Sequence, residues 1–452
     1  MNFIRVYLFK VIVLNLCYAQ TIFLVTPKNF SITKVNDKHK IILKELRDLL
    51  KSDIEKWYPL SIDTIYGGFF SDINYKWELN GKQNKFIVTQ ARHIWTCSQL
   101  AEFYSDTNYI KIARHGFHFL RNLMWDKKYG GFFDLVTREG KPIKEKGKII
   151  KRVYGNSFAI YGLAAYFNAS RDSAALKLAI ETFKWIDKHS HDSLYDGYFQ
   201  FISEEGIPFI YGYDNTPPKD YNSMIHVLEA YTELYKVWKN DKLRERLLSL
   251  FYLIRDKVAS NKGYLKLYFE RDWTPIEYKY SSSDKNKKFF LEHISFGHDI
   301  ETAYLLLEAA EVLDIKDSVT INKAKSMVNH TLINGWDYST GGIFDAGYYF
   351  KNQNKITIIK NTKEWWAQAE ALNSALLMSK LFHDNEINYY YYFEMQWHYI
   401  KNYLIDNEHG GWFIGGTDIM PENKKMPKGT IWKGNYHTTR ALINCIKLLK
   451  AK

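Results

Sequence analysis

The stretch Ile294–Leu313, ISFGHDIETAYLLLEAAEVL, puts Gly297, His298, Asp299 and Glu301 at the mouth of a segment whose Leu305, Leu306, Ala309, Ala310 and Leu313 recur at helical spacing. Two readings compete for these polar residues. Acids favour helix N-termini, where free N–H groups and the macrodipole attract negative charge. A histidine with a carboxylate one turn away can instead carry a proton. Five other helix starts hold comparable residues. TQARHIWTCSQLAEFY carries Arg92 and Trp95, KRVYGNSFAIYGLAAYF carries Tyr154, and IWKGNYHTTRALINCIKLL carries Trp432 and His437. Asn222 with His226, and Trp366 with Glu370, are each four residues apart and share a helix face. Each residue alone has a plain packing or surface reading. Together they make an aromatic-lined pocket with three histidines, two glutamates and an arginine, which reads as a site rather than six unrelated accidents.

The elements that must bring these residues together are legible in a repeat. YGGFF occurs at Tyr66–Phe70 and Tyr129–Phe133, followed by DGYFQF from Asp196, KGYLKL from Lys262, GGIFDA from Gly341 and GGWFIG from Gly410. The copies lie about 70 residues apart, which signals a repeat architecture. Glycine permits the positive φ of a tight turn, and the aromatics after it suit a short strand. Between copies lie pairs of helical patterns, such as Leu176–His189 and Asn222–Trp238. Six helical hairpins predict an all-α chain folded as an (α/α)6 barrel, with short β-strand loops at one end. An open solenoid is the alternative. The six polar helix starts fall one per repeat, so they can face one cleft.

Composition narrows the function. Of the 452 residues, 46% are hydrophobic and 17% aromatic, enough for a large core. The net charge is +12, but lysines such as Lys285, Lys287, Lys288, Lys424, Lys425 and Lys428 form no basic stripe with interleaved aromatics. Nucleic acid is therefore not an expected partner, and a solvated lysine surface accounts for the balance. Cys97 and Cys445 make no disulfide framework or metal cluster and read as buried apolar side chains. His298 and Glu301 lack an H-E-x-x-H helix, and no glycine-rich loop follows a strand, so neither a metal nor a nucleotide cofactor is expected.

Residues 1–19 combine basic Arg5 and Lys10 with an apolar run before Ala19 and read as a signal peptide, which places the protein outside the cytoplasm, in a periplasm. That signal, or a lipid anchor at Cys17, would be the only attachment to a membrane. Residues 20–38 read as a leader and 39–452 as one domain, expected to act as a monomer.

The segments from ARHIWTCS to WKGNYHTTR, and above all SFGHDIETA and WWAQAEA, resemble the cellobiose 2-epimerases within the N-acylglucosamine 2-epimerase superfamily. The surround of His298, GHDIE, differs from the H-P-G-H of the monosaccharide enzymes. The resemblance implies that His298 and His437 are the two acid/base residues. It also implies that Arg92, Tyr154, Asn222, His226, Glu301, Trp366, Glu370 and Trp432 line the site. Tyr304 stands where relatives often have tryptophan, and so is expected to touch the substrate. Met224 stands where they often have histidine.

Moving the C2 proton of an aldose requires an opened ring, because only a neighbouring aldehyde makes that carbon acidic. Two imidazoles, with an ordinary pKa of about 6.5, can take the proton from one face and return it on the other. Glu301, one turn from His298, is expected to orient it. Arg92 is expected to steady the enediolate, and His226 with Asn222 to hold the C1 and C2 oxygens. The expected reaction is inversion of C2 at the reducing end of a β-1,4-linked disaccharide, cellobiose or mannobiose, without a cofactor. The alternatives are a monosaccharide 2-epimerase or aldose–ketose isomerase on the same fold, a glycoside hydrolase using two carboxylates, and a binding protein without chemistry.

Overall fold

The computed structural model describes residues 32–285, 287–382 and 386–451. The signal peptide read over residues 1–19 lies outside the described residues. The chain divides into two compact units at Ile42, and of the first only the start of helix α1 (Ile32–Trp57) is described, within the stretch read as a leader. The second unit, Leu43–Lys452, is an (α/α)6 barrel.

Its inner ring consists of α2 (Ile87–Tyr104), α4 (Val153–Ser170), α6 (Tyr221–Val237), α8 (Phe296–Leu313), α10 (Trp365–Leu381) and α12 (Tyr436–Lys450). Each packs on the next, and α12 returns to α2, so the ring closes and the open solenoid is ruled out. The outer helices are α3 (Thr107–Phe119), α5 (Ser173–His189), α7 (Asp241–Leu253), α9 (Ser318–Asn334) and α11 (Tyr389–Tyr403), with the C-terminal part of α1. There Glu45 accepts hydrogen bonds from Trp397 and Lys401 of α11, while Asp53 faces Thr438 of α12.

The two rings start differently. Outer helices α3, α5, α7, α9 and α11 begin at Asp106, Asp172, Asn240, Asp317 and Asn388, whose side chains accept from free N–H groups of the first turn. Inner helices α2, α4, α6 and α8 start directly from short strands, and of the six inner helices only α6 has a side-chain cap, Asp220. Antiparallel pairs such as Ile150–Arg152 with Phe201–Ser203 join one repeat to the next at this end. The start of α8 is held by a three-stranded sheet of Ile294–Ser295, Ala346–Tyr348 and Thr357–Lys360.

Each glycine turn feeds the inner helix after it. Gly130 and Gly131 have φ of 72° and 73° and lie against the Trp185 ring, so a Cβ at either would clash with the indole. Amide N–H groups just beyond the turns donate to side chains of the following inner helix: Phe69 to Gln90, Phe132 to Asn156, Leu265 to Asp299 and Ile343 to Gln368. Asp299 is thus a turn anchor. It neither caps α8 nor partners His298.

A second device ties the turns. In five repeats the aspartate that opens the turn is ion-paired with a buried lysine: Asp63 with Lys85, Asp126 with Lys151, Asp192 with Lys219, Asp337 with Lys363 and Asp406 with Lys428, at 2.6–3.0 Å. Four of these ammonium groups also donate to a carbonyl of their own turn. The fourth repeat has neither partner. Ser260 replaces the aspartate and Ile294 the lysine. These five lysines correct the expectation of a uniformly solvated lysine surface. Lys428, read with the surface group, is only 1% exposed. Their stems cross apolar interior while the ammonium meets a carboxylate and carbonyls, which offsets the cost of burial. Cys97 and Cys445 are free and buried, as expected. Among the described residues no helix is long and apolar enough to cross a membrane.

Candidate active site

A cavity of about 680 Å³ opens where the inner helices begin. Arg92, Tyr154, Asn222, His226, His298, Glu301, Trp366, Trp432 and His437 all line it, contributed by each inner helix or the loop before it. Because these residues lie near helix N-termini, the aligned peptide dipoles favour negative charge in the cavity. The wall that the sequence does not reveal comes from Lys360, Thr362, Lys363, Glu364 and Trp365 and from Ile414, Gly415, Met420, Asn423 and Thr430. Those residues follow strands and turns, where no helical period marks a face.

Beneath the cavity lies an ion cluster built around Arg440, 1% exposed. Its guanidinium donates to Glu229 and Glu301, to Glu370 at 2.6 Å and to the Tyr436 hydroxyl at 2.5 Å. Three carboxylates around one guanidinium leave surplus negative charge that cationic groups above can balance. Two histidines stand on this base. His226 Nδ1 is 2.8 Å from Glu229, and His437 Nδ1 is 2.8 Å from Glu370. An ionised carboxylate only accepts, so it fixes the proton on Nδ1 and leaves Nε2 for chemistry. Although burial opposes it, Arg440 and His226 hold the Glu229 carboxyl down at about 2. Burial raises the Glu370 carboxyl above the ordinary range, against the pull of Arg440.

His298 is held differently. Its Nδ1 lies 2.7 Å from Ser295 Oγ and 3.0 Å from the Tyr221 hydroxyl. Glu301, expected to orient it, instead pairs with Arg440 and lies 3.9 Å from His437 Nδ1. The one-turn spacing on α8 puts Glu301 below His298, toward the barrel axis, where the guanidinium takes it. Burial pushes both imidazoles well below the usual histidine range. The other histidines and Arg92 add to this at His298, while Glu301 works against it at His437.

Trp366 joins the two. Its ring is 4.6 Å from that of His298 and 5.7 Å from that of His437, and its Nε1 donates to Glu364 at 2.7 Å. A Cβ on Gly297 would come within 2.6 Å of this indole, so glycine there makes room for it. Gly297→Ala is expected to cost about 1–3 kcal/mol by overpacking and to displace the indole. The check is a lower thermal midpoint together with lower turnover.

Arg92 stacks over Phe158 and Tyr436, 4.4 and 4.9 Å from the ring centres, and its Nε has no hydrogen-bond partner among the described residues. The Asn222 side-chain oxygen is likewise unpartnered. Both atoms are buried, in residues that line the cavity. Trp432 is 52% exposed and gives the mouth a flat apolar face.

Two expected lining residues are elsewhere. Glu370, one turn below Trp366, is fully buried between His437 and Arg440, so it supports the site without reaching the cavity. Tyr304, one turn beyond Glu301, lies 5.7 Å over the Arg440 guanidinium and does not line the cavity. Glu301, Glu370 and His437 are close enough to hold a metal ion. Arg440 donates to one oxygen of each of these carboxylates, which sets a fixed cation beside that position.

The chain and its fold are similar to those of known proteins. The cellobiose 2-epimerase of Bacteroides fragilis is 29% identical over 421 residues, covering 89% of this chain and 99% of its own. The solved cellobiose 2-epimerase of Spirochaeta thermophila superposes with a TM-score of 0.78 at 29% identity, over 92% of this chain and 98% of its own. A D-mannose isomerase of Thermobifida fusca is 22% identical over 78% of this chain and 84% of its own. The sequence profile of the N-acylglucosamine 2-epimerase family matches residues 68–441, and the chain belongs to that family.

Proposed function

We propose that this protein inverts C2 of the reducing-end residue of a β-1,4-linked disaccharide, cellobiose or mannobiose, through an open-chain enediolate and without a cofactor. The carrying observation is that His298 and His437, far apart in sequence, share one cavity and pack on the same indole. With the ring opened, one imidazole takes the C2 proton. The electrons pass to the C1 oxygen, and the other imidazole returns a proton to the opposite face. Arg92 offers its unpartnered guanidinium to the enediolate oxygens, in a cavity where inner-helix N-termini also favour negative charge. His226 and Asn222 hold the C1 and C2 oxygens, and the Glu229 bond fixes the tautomer of His226. Trp432 supplies a stacking face for the second sugar.

A hydrolase would need two free carboxylates flanking the scissile bond. Glu301 and Glu370, the pair considered for it, are both bound to Arg440. The relatives' names favour a disaccharide over a monosaccharide, and the composition of residues 1–19 favours action outside the cytoplasm.

Incubation with cellobiose or mannobiose in deuterated water tests this reading. The expected product is the C2 epimer carrying one deuteron at C2, with higher kcat/KM for a disaccharide than for mannose. Release of monosaccharides, or inversion without label, would overturn it.

A further inference from the structure

The two reacting histidines have unlike supports. His437 rests on a carboxylate at 2.8 Å, within a cluster of three glutamates. His298 rests on two hydroxyls, Ser295 Oγ and Tyr221 OH, and no carboxylate lies within bonding reach of its Nδ1 among the described residues. Besides burial, His226, His293, His437 and Arg92 disfavour a positive charge on His298. Trp366 and Tyr221 cover its ring at 4.6 and 5.0 Å. A hydroxyl can both donate to and accept from Nδ1, so the pair holds the ring plane without supplying a counter-charge. A carboxylate holds the plane and stabilises the imidazolium as well.

We propose that Ser295 and Tyr221 are the positioning residues of His298 and that Glu370 is the positioning residue of His437. This rests on the two-imidazole reading above. It adds that each half of the reaction has its own support and that the two can be damaged separately.

Ser295 fits such a role by its place. It ends the strand before α8, and its side chain makes no cap on that helix. Tyr221 comes from the start of α6, so its hydroxyl crosses between helices to reach His298. Neither lines the cavity, and both act through the imidazole.

The test isolates each histidine. In His437→Asn, only His298 remains to remove a C2 proton. The imidazolium formed exchanges with deuterated solvent and returns a deuteron to the same face, which labels one epimer without inverting it. His298→Asn should label only the other epimer. Cellobiose and its C2 epimer are the probes, read by NMR at C2. Adding Tyr221→Phe with Ser295→Ala is expected to lower labelling at least tenfold in the His437→Asn chain and far less in the His298→Asn chain. Glu370→Gln is expected to show the reverse. A general structural defect would slow both chains alike, and equal losses overturn the proposal. Absence of labelling by His437→Asn, when the wild type inverts C2, also overturns it. A wild type that neither inverts nor labels C2 refutes the function itself, which is a separate result.

Discussion

Replacing His437 with asparagine is expected to lower epimerisation at least about 1,000-fold, in the middle of the roughly 100- to 10,000-fold range that a positioned acid or base contributes. His298→Asn should do the same. The loss is larger than for a supporting residue because inversion needs a group on each face of C2, and the remaining imidazole can only return a proton where it took it. Asparagine suits the test. Its side-chain amide can still donate to Glu370 or bond with Ser295, so the cluster beneath keeps its hydrogen bonds. The measurement is turnover alongside thermal unfolding. Retention of more than about 1% of wild-type turnover by either folded variant would show that its histidine is not an essential acid or base.

The second large effect concerns stability. Arg440→Met is expected to cost about 3–5 kcal/mol, because Glu229, Glu301 and Glu370 would be left buried around a missing cation. Lysine should rescue little. One ammonium cannot span carboxylates from α6, α8 and α10 as the planar guanidinium does. The check is the denaturant midpoint of both variants against wild type. A midpoint within about 0.5 kcal/mol of wild type in either would mean that the carboxylates are neutral without Arg440.

The ring of hairpins was legible because a glycine turn recurs and apolar residues repeat at helical spacing between its copies. The lining was legible for a related reason. Inner helices are buried nearly all round, so Asn222, His226 and Trp366 stand out as polar or oversized residues at their starts. What the sequence hid was the pairing. His298 and Glu301 are one turn apart and look like partners, yet Glu301 turns to Arg440, 139 residues away. Ser295 and Tyr221 look like ordinary helix-start residues until the fold brings them to one imidazole. Tyr304 was assigned from a family substitution pattern, but its place down α8 takes it out of reach. Lys428 reads as surface in the sequence because charge is counted before it is located.

The missing strap in the fourth repeat has a consequence for how the barrel responds to load. Five inner helices have an ammonium ahead of their entrance paired with the aspartate of the preceding turn, and the entrances of α2, α4 and α6 are held by this strap as well as by a strand pair to the next repeat. The entrance of α8, which bears His298, is moored to the hairpin of residues 346–360 in the next repeat. The far strand of that hairpin ends at Lys360, on the cavity wall. Pressure on that wall from an occupant therefore passes along the hairpin to one imidazole, while the other stays anchored to the charged floor.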